Sequence, residues 1–161
     1  MTTAGLGGAI VTDSDTVAHD LKLKRNQGIM GGECITPGRN LIMGEINAAF
    51  GCVQLEKLPG FIRERNENMR SLGLYEHPNG YMGTILADDR DSVMKRLNDA
   101  GIGAASYYDL PIHRHSYYSS YASAGGTRLP MTNRYADHVL NVPVHPGVTP
   151  DALDIIREAV S

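Results

Sequence analysis

The first apolar positions change from a strand-like run to a helix-like spacing. Residues 8–12 form a short β-branched run, which predicts a buried strand. Asp13 or Ser14 can then cap a helix that carries Val17 on its apolar side and ends before Gly28 with a basic last turn. The chain is therefore expected to open with one strand and one helix.

A long helix is predicted for the middle of the chain. Residues 28–40 are rich in glycine and predict a loop. From Ile46 to Ile62 the apolar positions recur at helical spacing, and Pro59 is expected to kink or divide this helix near Leu58.

The second half alternates short strands with helices. Its predicted elements are a strand at 81–87, a helix at 90–100 capped by Asp89 with Ala100 facing inward, a strand at 104–108, a Tyr- and Ser-rich loop at 109–130, a helix at 132–140 capped by Thr132, an extended piece at 141–144 and a last helix that begins at Thr149 and Pro150. From residue 80 onward this order indicates a small α+β unit. The first strand and helix indicate the edge of a larger sheet, so the fold class is α/β.

Composition and charge narrow the function classes. The 161 residues suit one domain or a fragment of a larger protein, and 42% hydrophobic content excludes a disordered chain. With 15 basic and 18 acidic residues there is no positive excess for general nucleic-acid binding. No apolar run approaches the length of a membrane span, and the first residues lack the pattern of a signal peptide. Cys34 and Cys52 are expected to be buried or half-buried free thiols, so the predicted location is the cytoplasm.

Three groups of residues could carry chemistry. The glycines at 5–8 lack dinucleotide-site spacing and instead predict a tight turn that lets the chain approach a cofactor or a neighbour. His113 and His115 could share a zinc ion, but no third ligand is placed, and a loop with one histidine toward a pocket is the commoner case. Five of the eight tyrosines lie between residues 107 and 121, which suits either a hydroxyl-rich or phosphorylated ligand or a subunit interface. No catalytic nucleophile is evident, and no metal site is predicted.

Several motifs together resemble the DegT/StrS family of PLP-dependent sugar aminotransferases. They are GGAIVT at 7–12, LKLKRNQG at 21–28, GRNLIMGEINAA at 38–49, QLEKL at 54–58 with Arg65, AGIG at 100–103, LPIH at 110–113, LP at 129–130 and VPVHPGVT at 142–149. The resemblance covers the whole chain, in the family's motif order.

The resemblance implies an aspartate aminotransferase-like fold (PLP-transferase fold type I). Residues 1–40 would be the last strand and helix at the edge of the large PLP-binding domain, 41–73 the linking helix, and 74–161 the small C-terminal domain. The family's Schiff-base lysine would fall one place before Met1, so this chain alone is expected to be inactive. A second subunit or an N-terminal half would complete the enzyme, as a homodimer or heterodimer with a shared active site.

The resemblance also implies roles for individual residues. Asn40 matches an asparagine that reaches the PLP phosphate across the dimer, and Thr3, Gly7 and Gly8 match the segment beside the lysine. For substrate binding, the matching residues are His113, Tyr107 and Tyr108.

Departures from the family pattern leave the substrate class open. Ile42 replaces the family's arginine, Leu6 its glutamate and Tyr107 its usual histidine, and the stretch between Leu72 and Tyr81 is short. The implied function is the C-terminal part of an aminotransferase acting on a nucleotide-linked keto-sugar or related cyclic ketone. The alternatives are a non-catalytic partner subunit, or a dehydrase relative in which histidine replaces the lysine.

Overall fold

The computed structural model describes residues 4–5, 7–122 and 129–160, and the chain divides into two compact units. One unit spans Thr2–Leu58, and the other spans Pro59–Ser161. Across the described ranges, no helix has both the length and the apolar character needed to cross a bilayer.

The first unit begins with an exposed segment and a capped helix. Helix α1 spans Asp15–Arg25, and Ser14 rather than Asp13 is its N-cap, since its Oγ accepts a hydrogen bond from the Val17 N–H at 3.3 Å. Basic residues fill the last turn, where they complement the helix dipole. No residue of α1 is buried, so the predicted apolar side has no cover in this unit.

The strand predicted at residues 8–12 is wrong. These residues have no regular secondary structure, and Ile10 and Val11 are 74% and 92% exposed. A β-strand exists only where a neighbouring strand takes its hydrogen bonds. No strand in the described residues pairs with this segment.

The glycine-rich segment is more ordered than the predicted loop. Strands β1, Ile29–Met30, and β2, Glu33–Cys34, form an antiparallel hairpin. Its turn residues Gly31 and Gly32 have φ values of 61° and 88°, the left-handed region that a tight two-residue hairpin turn of this kind requires.

A single long helix joins the two units. Helix α2 spans Glu45–Ser71 and continues through Pro59, so the proline does not divide it. A proline inside a helix removes one backbone donor, a loss that the rest of a 27-residue helix offsets here. The boundary between the units falls at this proline. Met69, near the end of α2, is fully buried.

The second unit packs helices around a two-stranded antiparallel sheet. Strands β3, Gly83–Leu86, and β4, Val139–Val142, pair with Gly83 opposite Val142 and Leu86 opposite Val139. The helices that pack with them or with each other are α3, Arg90–Asp99, α5, Pro130–His138, and α6, Pro150–Val160. The core consists of Val93, Leu97, Ile102, Ala104, Leu140, Val142 and Ile156.

Local helix signals in this unit are mostly confirmed. Asp89 caps α3 by accepting from the Ser92 N–H at 3.4 Å, and Thr149 caps α6 by accepting from the Ala152 N–H at 3.3 Å. Thr132 is not a cap, because α5 begins at Pro130.

Three other expectations are wrong. The strand predicted at 104–108 is reduced to one bridge between Ala105 and Asn141, on the edge of β4 that β3 leaves open. Ala100 is exposed, because it lies beyond the last turn of α3 that faces the core. Cys34 and Cys52 are free thiols as expected, but both are exposed.

The predicted loop at 109–130 contains helical turns. A 3-10 turn at Ile112–Arg114 leads into helix α4, Ser116–Ala122. The remainder of that prediction, residues 123–128, lies outside the described residues.

Candidate functional site

Asn40 lies in a segment that is bonded to the end of α1. The Arg39 N–H donates to the Lys24 carbonyl at 2.8 Å, and the Leu41 N–H donates to the Arg25 carbonyl at 2.9 Å. The Gln27 N–H donates to the Arg39 carbonyl at 3.0 Å. These bonds fix the backbone on both sides of Asn40. Its exposed side chain has no hydrogen-bond partner within the described residues.

Two glycines make this arrangement possible. A Cβ on Gly38 would lie 2.2 Å from the Gly28 nitrogen, and a Cβ on Gly28 would lie 1.7 Å from the Thr36 carbonyl oxygen. Both distances are far inside van der Waals contact, so the two stretches of backbone can cross only where neither carries a side chain. The sequence places Gly28 at a helix end and Gly38 in a loop, but no local pattern indicates that they touch.

The predicted cofactor-side glycines behave differently from each other. A Cβ on Gly7 would lie 2.6 Å from the Met43 methyl group, so the backbone there makes a close approach to a side chain. Gly8 has open space around it. Thr3, the other member of this group, lies outside the described residues.

Tyr107 and Tyr108 are held by a buried asparagine. Asn141, 6% exposed, accepts a hydrogen bond from the Tyr107 N–H through Oδ1 at 3.0 Å. Its Nδ2 donates to Thr84 Oγ1 at 3.0 Å, and its backbone exchanges two hydrogen bonds with Ala105. Asn141 therefore fixes the start of the tyrosine-bearing loop on the sheet. Both tyrosine rings remain largely exposed and meet edge to face.

His113 is held by helix α5. Its Nε2 lies 2.9 Å from Oδ1 of Asn133, and the ring is half-buried. Next to it, Arg114 donates two hydrogen bonds to the Asp137 carboxylate, at 2.7 and 3.4 Å. The hydrogen bond with Arg114 lowers the pKa of Asp137, and the same bond raises the pKa of Arg114. The consecutive residues His113 and Arg114 thus bind Asn133 and Asp137. These two partners lie four positions apart, on one face of α5.

A surface hollow of about 440 Å³ lies beside these contacts. Its lining is mostly apolar and consists of Tyr108, Pro111, Met131, Thr132, Tyr135 and Ala136. The carbonyl of one lining residue, Ala136, accepts a hydrogen bond from Arg90 Nη1 at 2.9 Å. The structure therefore brings Tyr108 and His113 to the same helix, α5.

The residues that sequence reasoning missed are amides. Asn133 and Asn141 each bond a loop far away along the chain, and no local pattern points to such a partner.

The possible zinc pair is not completed, because the described residues contain no group of three or more His, Cys, Asp or Glu side chains that could hold a metal. His115 bonds the Leu110 carbonyl at 3.2 Å.

The four lysines lie on exposed positions of helices. Lys24 pairs with Asp20 at 2.8 Å, and Lys95 pairs with Asp99 at 2.5 Å. Lys22 and Lys57 are also exposed. A Schiff-base lysine needs a desolvated setting or a cationic neighbour that favours its neutral form. None of these four positions supplies a desolvated setting.

Relatives of known activity match almost the whole chain. A dTDP-3-amino-3,4,6-trideoxy-alpha-D-glucose transaminase of Micromonospora megalomicea subsp. nigra is 27% identical over 177 residues, covering 97% of this chain and 47% of the relative. A dTDP-4-amino-4,6-dideoxy-D-glucose transaminase of Escherichia coli is 32% identical, covering 86% of this chain and 43% of the relative. The chain thus spans less than half the length of these curated relatives.

The fold agrees with solved aminotransferase structures. S. venezuelae DesV in complex with a ketimine intermediate superposes with a TM-score of 0.83 at 23% identity, covering 94% of this chain and 46% of DesV. The model of the DegT/DnrJ/EryC1/StrS aminotransferase family matches residues 1–161. Because that match includes every residue, the chain belongs to this family of PLP-dependent aminotransferases.

Proposed function

We propose that this chain is the C-terminal part of a PLP-dependent aminotransferase that acts on a nucleotide-linked keto-sugar or a related cyclic ketone. The Schiff-base lysine belongs to polypeptide outside this chain, in the same protein or in a partner subunit. The proposal rests on the family match and on relatives named as transaminases of dTDP-sugars. The proposed location is the cytoplasm, and the proposed assembly is a dimer with a shared active site.

The observation that carries the proposal is the anchored, outward-facing amide of Asn40. PLP when bound supplies an electron sink, and its phosphate needs hydrogen-bond donors. A carboxamide offers two N–H donors without a charge or a titration of its own. The backbone bonds at Arg39 and Leu41 hold the backbone that carries this amide, and the exposed amide N–H groups can donate to a phosphate oxygen. Gly7, where the backbone passes close to the Met43 side chain, and Gly8 are proposed to lie beside the cofactor.

In the second unit, the chain's own residues would orient the sugar substrate. His113 bonds Asn133 on α5, and Tyr108 lines the hollow together with residues of the same helix. Asn141 holds the backbone at Tyr107. The apolar lining of the hollow excludes water from one side of a bound ring. The exposed, ion-paired or solvated lysines support the proposal that the lysine comes from elsewhere and that this chain alone is inactive.

The test uses the chain assembled with a lysine-bearing N-terminal part. PLP content and transamination of a dTDP-keto-sugar are measured for the assembly and for this chain alone. We expect both in the assembly and neither in the single chain. Transamination by the single chain, or an assembly that binds PLP without any transfer to keto-sugars, would overturn the proposal.

Variants in the same assembly test the role of Asn40. Asn40→Ala removes the amide and is expected to weaken PLP binding by about 10- to 150-fold, the effect of one hydrogen bond to a charged group. The matched control is Asn26→Ala, since Asn26 forms the backbone bridge with Asn40. Equal losses in the two variants would mean that loop stability, and not the amide contact, is responsible.

A further inference from the structure

The hydrogen bond to α5 defines which nitrogen of His113 carries a proton. Nε2 lies 2.9 Å from Oδ1 of Asn133, and a carboxamide oxygen only accepts. Nε2 must therefore donate. In a neutral imidazole the other nitrogen, Nδ1, is then an acceptor. Within the described residues, Nδ1 of His113 has no hydrogen-bond partner.

Exchange of the two ring nitrogens would cost the bond to Asn133, which lies on a helix that the neighbouring residue Arg114 also binds. Arg114 binds Asp137 through two hydrogen bonds, so the backbone next to His113 is attached to α5 one turn beyond Asn133. On the same 3-10 turn, the Arg114 N–H donates to the Pro111 carbonyl at 2.8 Å. A ring flip would have to break the Asn133 bond without a change in this backbone.

We propose that Asn133 is a positioning residue, which orients His113 so that Nδ1 alone faces the substrate as a hydrogen-bond acceptor. This inference rests on the proposed function, in which His113 contacts the sugar substrate. The group that it takes must then be a donor, such as a sugar hydroxyl or an N–H. A phosphate oxygen is disfavoured, because its lone pairs would face the lone pair of Nδ1. Of the two ligand types that suit the tyrosine-rich loop, the hydroxyl-rich type is therefore the one that His113 selects.

The first experiment reads the tautomer directly. Nitrogen-15 NMR of the imidazoles in this chain, at about pH 8.5 where imidazoles are neutral, distinguishes Nε2–H from Nδ1–H rings. The His113 signal is assigned by its absence in His113→Gln. We expect an Nε2–H ring in the wild type and a mixture of tautomers in Asn133→Ala. An Nδ1–H ring in the wild type overturns the proposal.

A neighbouring residue supplies the matched control. Arg134 lies next to Asn133 on α5 and is exposed. Arg134→Ala should leave the His113 tautomer as in the wild type. If Arg134→Ala and Asn133→Ala change the signal equally, a general disturbance of α5 explains the result and the positioning role is refuted.

The second experiment uses the assembled aminotransferase and two partial mimics of histidine. The amide of asparagine occupies about the place of Nδ1, and that of glutamine about the place of Nε2. His113→Asn should therefore keep the substrate contact, although it loses the Asn133 bond, and raise KM by less than His113→Gln does. His113→Gln and Asn133→Ala should each raise KM by about five- to tenfold with smaller changes in kcat. The reverse order for His113→Asn and His113→Gln would refute an Nδ1 contact.

The two experiments separate this inference from the proposed function. Loss of all transamination in the wild-type assembly would refute the proposed function, and the tautomer measurement would still decide whether Asn133 orients the ring. An active assembly with an Nδ1–H ring would refute the inference and leave the proposed function intact.

Discussion

Replacement of Gly38 by alanine tests whether the crossing with Gly28 holds Asn40 in place. The new Cβ would lie 2.2 Å from the Gly28 nitrogen and 2.4 Å from the Gln27 carbonyl carbon, whereas ordinary contact begins at 3.4 Å. The backbone would have to separate by the difference between 3.4 and 2.2 Å, which is about 1.2 Å. The φ angle of Gly38 lies outside the left-handed region, so the clash alone is tested.

The cost follows from the hydrogen bonds that meet at the crossing. A separation of this size breaks the bonds from Arg39 N–H to the Lys24 carbonyl and from Gly28 N–H to the Leu23 carbonyl, and weakens the bond from the Gln27 N–H. Each backbone bond contributes about 0.5–1.5 kcal/mol net, so two broken bonds and one weakened bond should lower the local stability by about 1–4 kcal/mol. That range corresponds to about 5- to 1,000-fold faster amide exchange in this loop.

The assay is amide hydrogen exchange at Gln27, Arg39 and Leu41 in wild type and Gly38→Ala. Gly103→Ala is the control, because a Cβ there meets nothing within 4 Å and the φ angle is also outside the left-handed region. In the assembled enzyme, PLP binding should weaken together with the loss of protection. Wild-type exchange rates in Gly38→Ala would refute the reasoning that the crossing supports Asn40.

Two further predictions concern the second unit. Asn141→Leu keeps the size of the buried side chain but leaves the Tyr107 N–H and Thr84 Oγ1 without their partner. The free energy of unfolding, measured in urea, should therefore fall by about 2–4 kcal/mol. An unchanged urea midpoint would contradict the role of this amide. The hydrogen bond from Arg114 holds the pKa of Asp137 below its ordinary value of 3.8. The ion pair therefore stabilises the fold at pH values above that ordinary pKa, and this stabilisation is lost as the pH falls through the lower pKa of the folded state. Thermal unfolding of wild type and Asp137→Asn should therefore differ near neutral pH and converge in acid, and a difference that stays constant with pH would exclude the ion pair as its source.

Local features of the fold follow from the sequence because their interactions are local. The caps at Ser14, Asp89 and Thr149 each accept from an N–H three residues later, so a short window of sequence contains both partners. The apolar spacing of α2 is local in the same sense, because it repeats every three or four residues along the chain. The strand at residues 8–12 failed for the opposite reason, since an apolar run becomes a strand only when another strand lies beside it.

The candidate site was predictable only in part. The motif match pointed to Asn40 and His113 as single residues, and nothing in their neighbourhoods indicated what holds them. The partner of His113 lies 20 positions away, and that of Tyr107 lies 34 positions away. A hydrogen bond between distant residues leaves no periodic signal along the chain.

The sequence by itself therefore determined most of the helices, the caps at Ser14, Asp89 and Thr149, the position of β3 and the family to which the chain belongs. Only the tertiary structure decided that Gly28 and Gly38 cross, that α5 orients His113, and that Asn141 anchors the tyrosine-bearing loop. The physical reason is range: capping and helical periodicity act over three or four residues, whereas these contacts depend on where the fold brings distant backbone and amide groups together.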